Sequence, residues 1–359
     1  MIYTVIIAGG KGERFWPFST KEKPKQLLHV YSDHSMLQDT IERVVDMVPL
    51  KQTLIVTGEA IKSQILEHIP FLKEKNILTE PFGKNTCLAV AFAAVHLQKS
   101  DPNATMIVLS ADHFIQPKER LLELLRCGAT MAERDDVLIT IGINPTRPET
   151  GYGYIEQGEV YDTFDGITTF VAKQFKEKPS RPLAQQYYVG RSHLWNSGMF
   201  VWTAKSFLKA VSQCRPQMYS QLMEYQARIG TPEETDARLK LFEEAENISV
   251  DVAILEAAAN VLVIKGDLIW DDIGNWLALE RINPKDKDNN VVIGDTVLHD
   301  SYEITAVNAG EGIIATLGVS DLVIVKTDRV VLVGHKTKVG EIKSLLARLK
   351  EDKRFEQYL

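Results

Sequence analysis

The chain opens with an apolar run, Met1 to Ala8, that leads directly into Gly9-Gly10-Lys11-Gly12-Glu13-Arg14-Phe15-Trp16-Pro17. Glycines at such a turn let backbone amides approach a phosphate, and Lys11 and Arg14 add positive charge beside them. Lys23-Pro24-Lys25-Gln26 follows on a stiffened loop, so Lys11, Arg14, Lys23 and Lys25 all fall within fifteen residues. A glycine turn with solvated charges is the plainer reading, but cations at this density favour a polyphosphate ligand. Two better-known phosphate loops do not fit. A Walker loop needs Gly-Lys-Ser/Thr after its spacer, and a dinucleotide fingerprint needs a small residue where Phe15 stands.

Carboxylates come next. Ser110-Ala111-Asp112-His113 follows the apolar run Met106–Leu109. A carboxylate at the carboxyl end of a central strand could hold Mg²⁺ against a triphosphate, although Asp112 alone could equally cap a turn. Trp270-Asp271-Asp272-Ile273-Gly274-Asn275-Trp276 supplies a second candidate, since Mg²⁺ usually takes one or two carboxylates. His113 reads as a packed or supporting residue rather than a base, and Cys87 as core rather than nucleophile.

Three further clusters carry polar groups suited to a sugar or a base. Glu80-Pro81-Phe82-Gly83-Lys84-Asn85-Thr86 opens a helix, and Gly151-Tyr152-Gly153-Tyr154 allows close backbone approach to a ring. Glu177-Lys178-Pro179 and Trp195-Asn196-Ser197-Gly198 add a carboxylate, a cation and an amide, which match sugar hydroxyls and a phosphate. Each cluster taken singly also fits an ordinary turn or strand end.

The elements that must position these groups are legible from periodicity. Ile2–Ile7, Thr53–Thr57, Met106–Leu109 and Val137–Gly142 read as buried strands; Met36–Val48, Thr86–Leu97 and Lys118–Arg134 read as helices, with Thr86 a candidate cap. This alternation predicts an α/β, Rossmann-like doubly wound sheet with ligands beyond the strands' carboxyl ends. Beyond about residue 285, short β-branched runs alternate with Gly, Asn and Asp turns. They are Val291–Ile293, Glu303–Val307, Ile313–Thr316, Leu322–Val325 and Val330–Val333. A small β-helix-like module ending in an amphipathic helix is expected, giving domains 1–284 and 285–359. The helix stripe Val339, Ile342, Leu345, Leu346 and Leu349 reads first as packing on its own chain, with a homodimer contact as the alternative.

Composition narrows the function classes. With 359 residues, 45% hydrophobic and 25% charged, the chain can bury a large core. A net charge of -7 argues against bulk electrostatic binding of nucleic acid. The three cysteines, Cys87, Cys127 and Cys214, form neither a metal spacing nor a disulfide framework. No signal-peptide pattern and no membrane-length apolar run is present, so a cytoplasmic protein without membrane partners is expected.

Taken in order, Ala8–Pro17, Lys23–Gln26, Glu80–Thr86, Ala111–His113, Pro145–Glu156, Phe175–Pro179, Trp195–Phe200 and Trp270–Trp276 resemble the sugar-phosphate nucleotidyltransferases, and within them the mannose-1-phosphate guanylyltransferases. The resemblance implies a mixed sheet of the nucleotide-diphospho-sugar transferase type and transfer of GMP from GTP to mannose 1-phosphate, with Mg²⁺. It implies triphosphate binding by Ala8, Gly9, Gly10, Lys11 and Gly12, with Arg14, Lys25 and Asp112 catalytic. Glu80, Asn85 and Asp112 would bind the nucleotide, and Asp112 with Asp272 the metal. Gly153, Glu177, Lys178 and Asn196 would bind the sugar phosphate. The guanine preference rests on Phe15-Trp16-Pro17 and Ala111-Asp112-His113. Departures from the family pattern are Ser110, Lys84 in place of arginine, and Cys87. The chain stops before the cupin domain of longer relatives, so a second activity is not expected. Transfer to heptose or glucose 1-phosphate, use of another triphosphate, or a silent nucleotide-sugar-binding regulator are the competing readings.

Overall fold

The computed structural model describes residues 1–10, 12–20 and 23–359. The expected triphosphate residue Lys11 lies outside the described residues. The chain forms two compact units that do not follow its linear order. One contains residues 1–9, 40–111 and 115–270; the other contains 10–39, 112–114 and 271–359.

In chain order the strands up to residue 266 are β1 (Ile2–Ile7), β2 (Thr53–Gly58), β3 (Ile77–Glu80), β4 (Thr105–Ser110), the short β5 (Phe114–Gln116), β6 (Leu138–Ile143), β7 (Tyr154–Phe164), β8 (Ile167–Lys176), β9 (His193–Thr203) and β10 (Val261–Gly266). All but β5 make one nine-stranded sheet in the order β3-β2-β1-β4-β9-β6-β10-β8-β7. β3, β2, β1 and β4 run parallel, whereas β9 enters antiparallel between β4 and β6. The sheet is therefore mixed, as the family resemblance implies.

Central strands such as β4 and β6 are buried along almost their whole length, as a sheet covered on both faces requires. Among the helices are α1 (Met36–Val44), α2 (Lys62–His68), α3 (Asn85–Ser100) and α4 (Lys118–Arg134). Helix α3 is apolar nearly all round and buried from Cys87 through Val95, the mark of a core helix. Its start differs from expectation. Asn85, at φ 66°, opens the helix and its Oδ1 accepts from the Thr86 amide at 2.9 Å. Thr86 is no cap; its hydroxyl accepts from the Val250 amide at 3.0 Å.

The second unit is built on Phe15, Trp16, Leu28, Met36, Ile273, Trp276, Val339, Ile342 and Leu346. Phe15 and Trp276 pack with ring centroids 4.9 Å apart, and the Trp276 indole donates to the Trp16 carbonyl at 3.0 Å. The Trp16 indole in turn donates to the carbonyl of Tyr358 at 2.7 Å. The chain's last residues thus hold the segment that follows the glycine turn.

Within this unit Val291–Ile293, Thr305–Asn308 and Leu322–Lys326 pair in parallel, and Val331–His335 closes the ladder antiparallel. Thr296–His299 and Ile314–Leu317 form a second parallel pair. This is the expected β-helix-like module. One strand starts two residues later than Glu303, because Glu303 adopts φ 53° and cannot continue a pleat. The terminal helix Ile342–Lys350 buries Ile342 and Leu346 within its own unit, with Val339 buried on the short turn Lys336–Glu341 before it, while Leu345 is exposed. Among the described residues no helix is long and apolar enough to cross a membrane.

Candidate functional site

Parallel strands β1 and β4 lie side by side, pairing Ile7 with Ser110. The chain leaves β1 through Ala8 and Gly9, and leaves β4 through Ala111, so the glycine turn and Asp112 both emerge at carboxyl ends. The Ala8 amide donates to Val56, and its carbonyl accepts from the Thr57 hydroxyl at 3.0 Å. Gly12 then adopts φ 61°, and a Cβ there would meet Ser19 Oγ at 2.8 Å and crowd Lys25. Only glycine fits this bend over the lysine.

Lys25 is the centre of the second unit's polar cluster. Although only 8% exposed, its ammonium donates to Asp112 Oδ2 at 2.6 Å and to the Asp272 backbone carbonyl at 3.2 Å. It also sits 5.4 Å from the centroid of the buried Phe15 ring. Residues 25, 112 and 272 meet at one amine. Desolvation pushes the Asp112 carboxyl up, but the Lys25 charge, then His113, and the Lys25 hydrogen bond outweigh it, holding the group below its ordinary value. His113 Nε2 stands 3.9 Å from Asp112 Oδ1 and its carbonyl accepts from Tyr31, a supporting position. Arg14 is exposed on the short helical turn Glu13–Phe15.

The two consecutive aspartates have different surroundings. Asp271 is buried, chelates Arg281 through both carboxylate oxygens and caps the Ile273 amide at 2.9 Å. Asp272 receives the Gly274 amide at 3.0 Å, and its carbonyl is the one that Lys25 reaches. Just after them Ile273 adopts φ 43°, an outlier for a β-branched residue that stores backbone strain in this turn. Hard carboxylate oxygens on Asp112 and Asp272 fit a cation such as Mg²⁺, which needs few protein ligands. Among the described residues no group of three or more His, Cys, Asp or Glu forms a fuller cage.

The first unit carries the remaining residues in two places. Gly153, Glu177, Lys178 and Asn196 gather where β7, β8 and β9 pair. A Cβ on Gly153 would lie 2.5 Å from Glu177 Oε2, so any other residue would push that carboxylate from its present place. Lys178, exposed and at φ 44°, pairs with Glu177 Oε1 at 3.1 Å. The Asn196 amide donates to Asp251 Oδ1 at 2.6 Å. Asp251 escaped the sequence reading; its only signal is a lone charge in the apolar run Val250–Leu255.

At the end of β3, Glu80 is buried and its Oε1 has no hydrogen-bond partner among the described residues. Asn85 stands at the start of α3, and Lys84 donates to the carbonyls of Glu243 and Ala245. Two other features are structural. Phe15 and Trp16 are packed in the core rather than offered to a ligand. Burial pushes the Cys87 thiol up to about 12, so it is no nucleophile at neutral pH.

Comparison with known proteins points one way. Residues 3–289 match the nucleotidyl transferase family, and residues 294–349 match a mannose-phosphate isomerase/GMP-like β-helix domain. The chain is 35% identical to a mannose-1-phosphate guanylyltransferase of Klebsiella pneumoniae, over 99% of this chain and 75% of that protein. It is equally identical, at 35%, to the ManC mannose-1-phosphate guanylyltransferase of Salmonella typhimurium, over 100% of this chain and 75% of that one. A crystal structure from Thermus thermophilus, described as a mannose-1-phosphate geranyltransferase, matches with a TM-score of 0.87 at 31% identity. The match covers 97% of this chain and 99% of that chain.

Glu80 ties stability to pH. Desolvation lifts its carboxyl from 4.5 to about 7. A raised carboxyl binds its proton more tightly in the folded state, so folding loses stability as pH climbs from the unfolded value through about 7. Glu80→Gln should therefore melt like the parent at about pH 4 and progressively higher than the parent up to about pH 8. A melting difference independent of pH would contradict this.

Proposed function

The chain belongs to the nucleotidyl transferase family, and from that premise we propose that it transfers GMP from GTP to mannose 1-phosphate, releasing pyrophosphate. The observation that carries the proposal is the meeting of Lys25, Asp112 and Asp272 at a single buried ammonium. A desolvated cation carrying the Asp112 carboxylate, with Asp272 held beside it through its backbone carbonyl, suits a triphosphate and its counter-ion. The names of the similar proteins support the choice of sugar and nucleotide.

In this reading an oxygen of the sugar 1-phosphate attacks the α-phosphorus in line, and pyrophosphate departs from the opposite side. The nucleophile is already anionic at neutral pH, so the chain needs neither a general base nor a covalent intermediate. The barrier lies in bringing two anions together, and catalysis is positioning and charge neutralisation. Backbone amides from Ala8 to Gly12, with Lys11, cradle the triphosphate. Arg14 and Lys25 neutralise charge that develops on the α-phosphate and the leaving group. Asp112 and Asp272 would hold Mg²⁺, which supplies further neutralisation at phosphate oxygens when bound.

Glu80 is suited to guanine. Its buried carboxyl, raised to about 7, is acceptor-only once ionised, and the base offers two adjacent N–H donors on one edge that would favour the ionised form. Asn85 assists at the same segment. Glu177 and Asn196 hold sugar hydroxyls, Gly153 lines the sugar through its backbone, and Lys178 meets the sugar's phosphate. A catalytic region 1–284 with a β-rich module 285–359, and a cytoplasmic location, belong to the same proposal.

The test is pyrophosphate release with Mg²⁺, crossing GTP, ATP, UTP and dTTP with mannose, glucose and heptose 1-phosphates. Fastest release with GTP and mannose 1-phosphate is expected. Another best pair would change the substrate, and silence across the panel from folded protein would leave a nucleotide-sugar-binding regulator. In the active pair, Lys25→Ala should lower kcat far more than it raises KM for GTP, because the ammonium acts on charge present only in the transition state. Equal changes in both would remove that role.

A further inference from the structure

The strongest unassigned feature is the carboxylate of Asp251, which meets Asn196 inside the first unit. We propose that Asp251 is a further specificity-determining residue: its carboxylate accepts a hydroxyl of the sugar, beside Glu177 and Asn196. The inference rests on the reading of Glu177 and Asn196 as sugar ligands.

The geometry begins with Asn196, which is 9% exposed and has one side of its amide fully committed. Its Oδ1 accepts from the Thr140 hydroxyl at 3.1 Å and from the Gly198 amide at 3.3 Å. These two donors fix the orientation of the amide, so Nδ2 must face Asp251 Oδ1, at 2.6 Å. Asn196 Nδ2 has a second hydrogen, and the partly exposed Asp251 carboxylate has acceptor capacity beyond the Asn196 amide and its own backbone amide. Donor and acceptor are thus presented together.

Asp251 is also an expensive residue for the fold alone. Desolvation, followed by the nearby Glu177 charge, raises its carboxyl to about 6, while the Asn196 bond only partly offsets this. Lys178, the cation of the group, already pairs with Glu177 Oε1 at 3.1 Å. Two repelling carboxylates beside an amide are relieved by a ligand that donates hydrogen bonds. Neighbouring hydroxyls of a sugar ring do this, each also able to accept from the Asn196 amide. Gly153 leaves the backbone open at Glu177, where a Cβ would displace the carboxylate from its present place.

The backbone holds Asp251 firmly. It begins a π-helical turn, Asp251–Leu255, a rare wide turn that is frequent at functional sites. The segment just before it is tied to the start of α3. Val250 donates to the Thr86 hydroxyl at 3.0 Å, and the Ile248 carbonyl accepts from the Cys87 amide at 3.3 Å. A hydroxyl-reading carboxylate needs such rigidity.

The experiment uses the full chain with saturating GTP and Mg²⁺. Asp251→Asn keeps size and shape but removes the charge. KM for mannose 1-phosphate should rise about tenfold or more, the cost of one hydrogen bond to a charged group. KM for GTP should stay unchanged, and the melting temperature near neutral pH should not fall, since the substitution removes a charge the fold disfavours. In calorimetry, affinity for GDP-mannose should fall by a similar factor while affinity for GDP does not. In an Asn196→Ala background the same substitution should still cost several-fold.

An unchanged KM for the sugar phosphate would overturn the proposal, and so would equal losses for GTP and sugar. Loss of the effect in the Asn196→Ala background would reduce Asp251 to a residue that merely positions Asn196. If the parent protein is active and the variant matches it, only Asp251 is misassigned. A parent inactive with every sugar 1-phosphate would sink the sugar-pocket reading itself.

Discussion

A lysine ammonium withdrawn from water needs an anion close by, and in the second unit Lys25 has one in Asp112 at 2.6 Å. The pair depends on much of the unit around it. Gly12 must bend tightly enough to leave room for the lysine stem, and Phe15 must supply an apolar floor beneath the charge. Trp276 and Trp16 lock that floor through indole hydrogen bonds, the second of which ends on Tyr358. Removing Asp112 would leave a buried cation without its counter-ion, and removing Lys25 would leave a half-buried carboxylate without its own. The cluster is stable only as a set, or with phosphate and metal ions taking over its charges.

The strained turn at Asp271–Gly274 belongs to the same constraint. Asp271 is spent on Arg281 and on the backbone of the turn, which lets Asp272 present its carbonyl to Lys25. One aspartate builds the loop that positions the other. The β-rich module and the terminal helix contribute packing to this unit, which explains why a segment near the amino terminus clusters with residues beyond 271.

Much of this was legible from sequence because apolar periodicity and glycine placement are local signals. β1, α4 and the strand Val291–Ile293 have the bounds that periodicity predicts. The misses have physical causes. Thr86 looks like a helix cap, but the helix begins one residue earlier at Asn85, which adopts positive φ, and the threonine hydroxyl accepts from Val250 instead. Strands β7 and β8 carry polar outer faces and irregular register, so their alternation is blurred. Phe15-Trp16 marks the family through packing against Trp276 rather than through contact with a ligand. Asp251 is invisible in sequence because a single acidic residue in an apolar run has no motif; only the Asn196 amide beside it gives it meaning.

The central claim is that the chain positions and neutralises two bound anions and never bonds to the transferred group. The stereochemistry at the α-phosphorus tests it most directly. One diastereomer of guanosine 5′-(1-thiotriphosphate) would be turned over with mannose 1-phosphate, and the configuration of the product determined by phosphorus NMR. A single in-line displacement requires inversion. Retention would mean two displacements through a covalent nucleotidyl-enzyme, and would contradict the account.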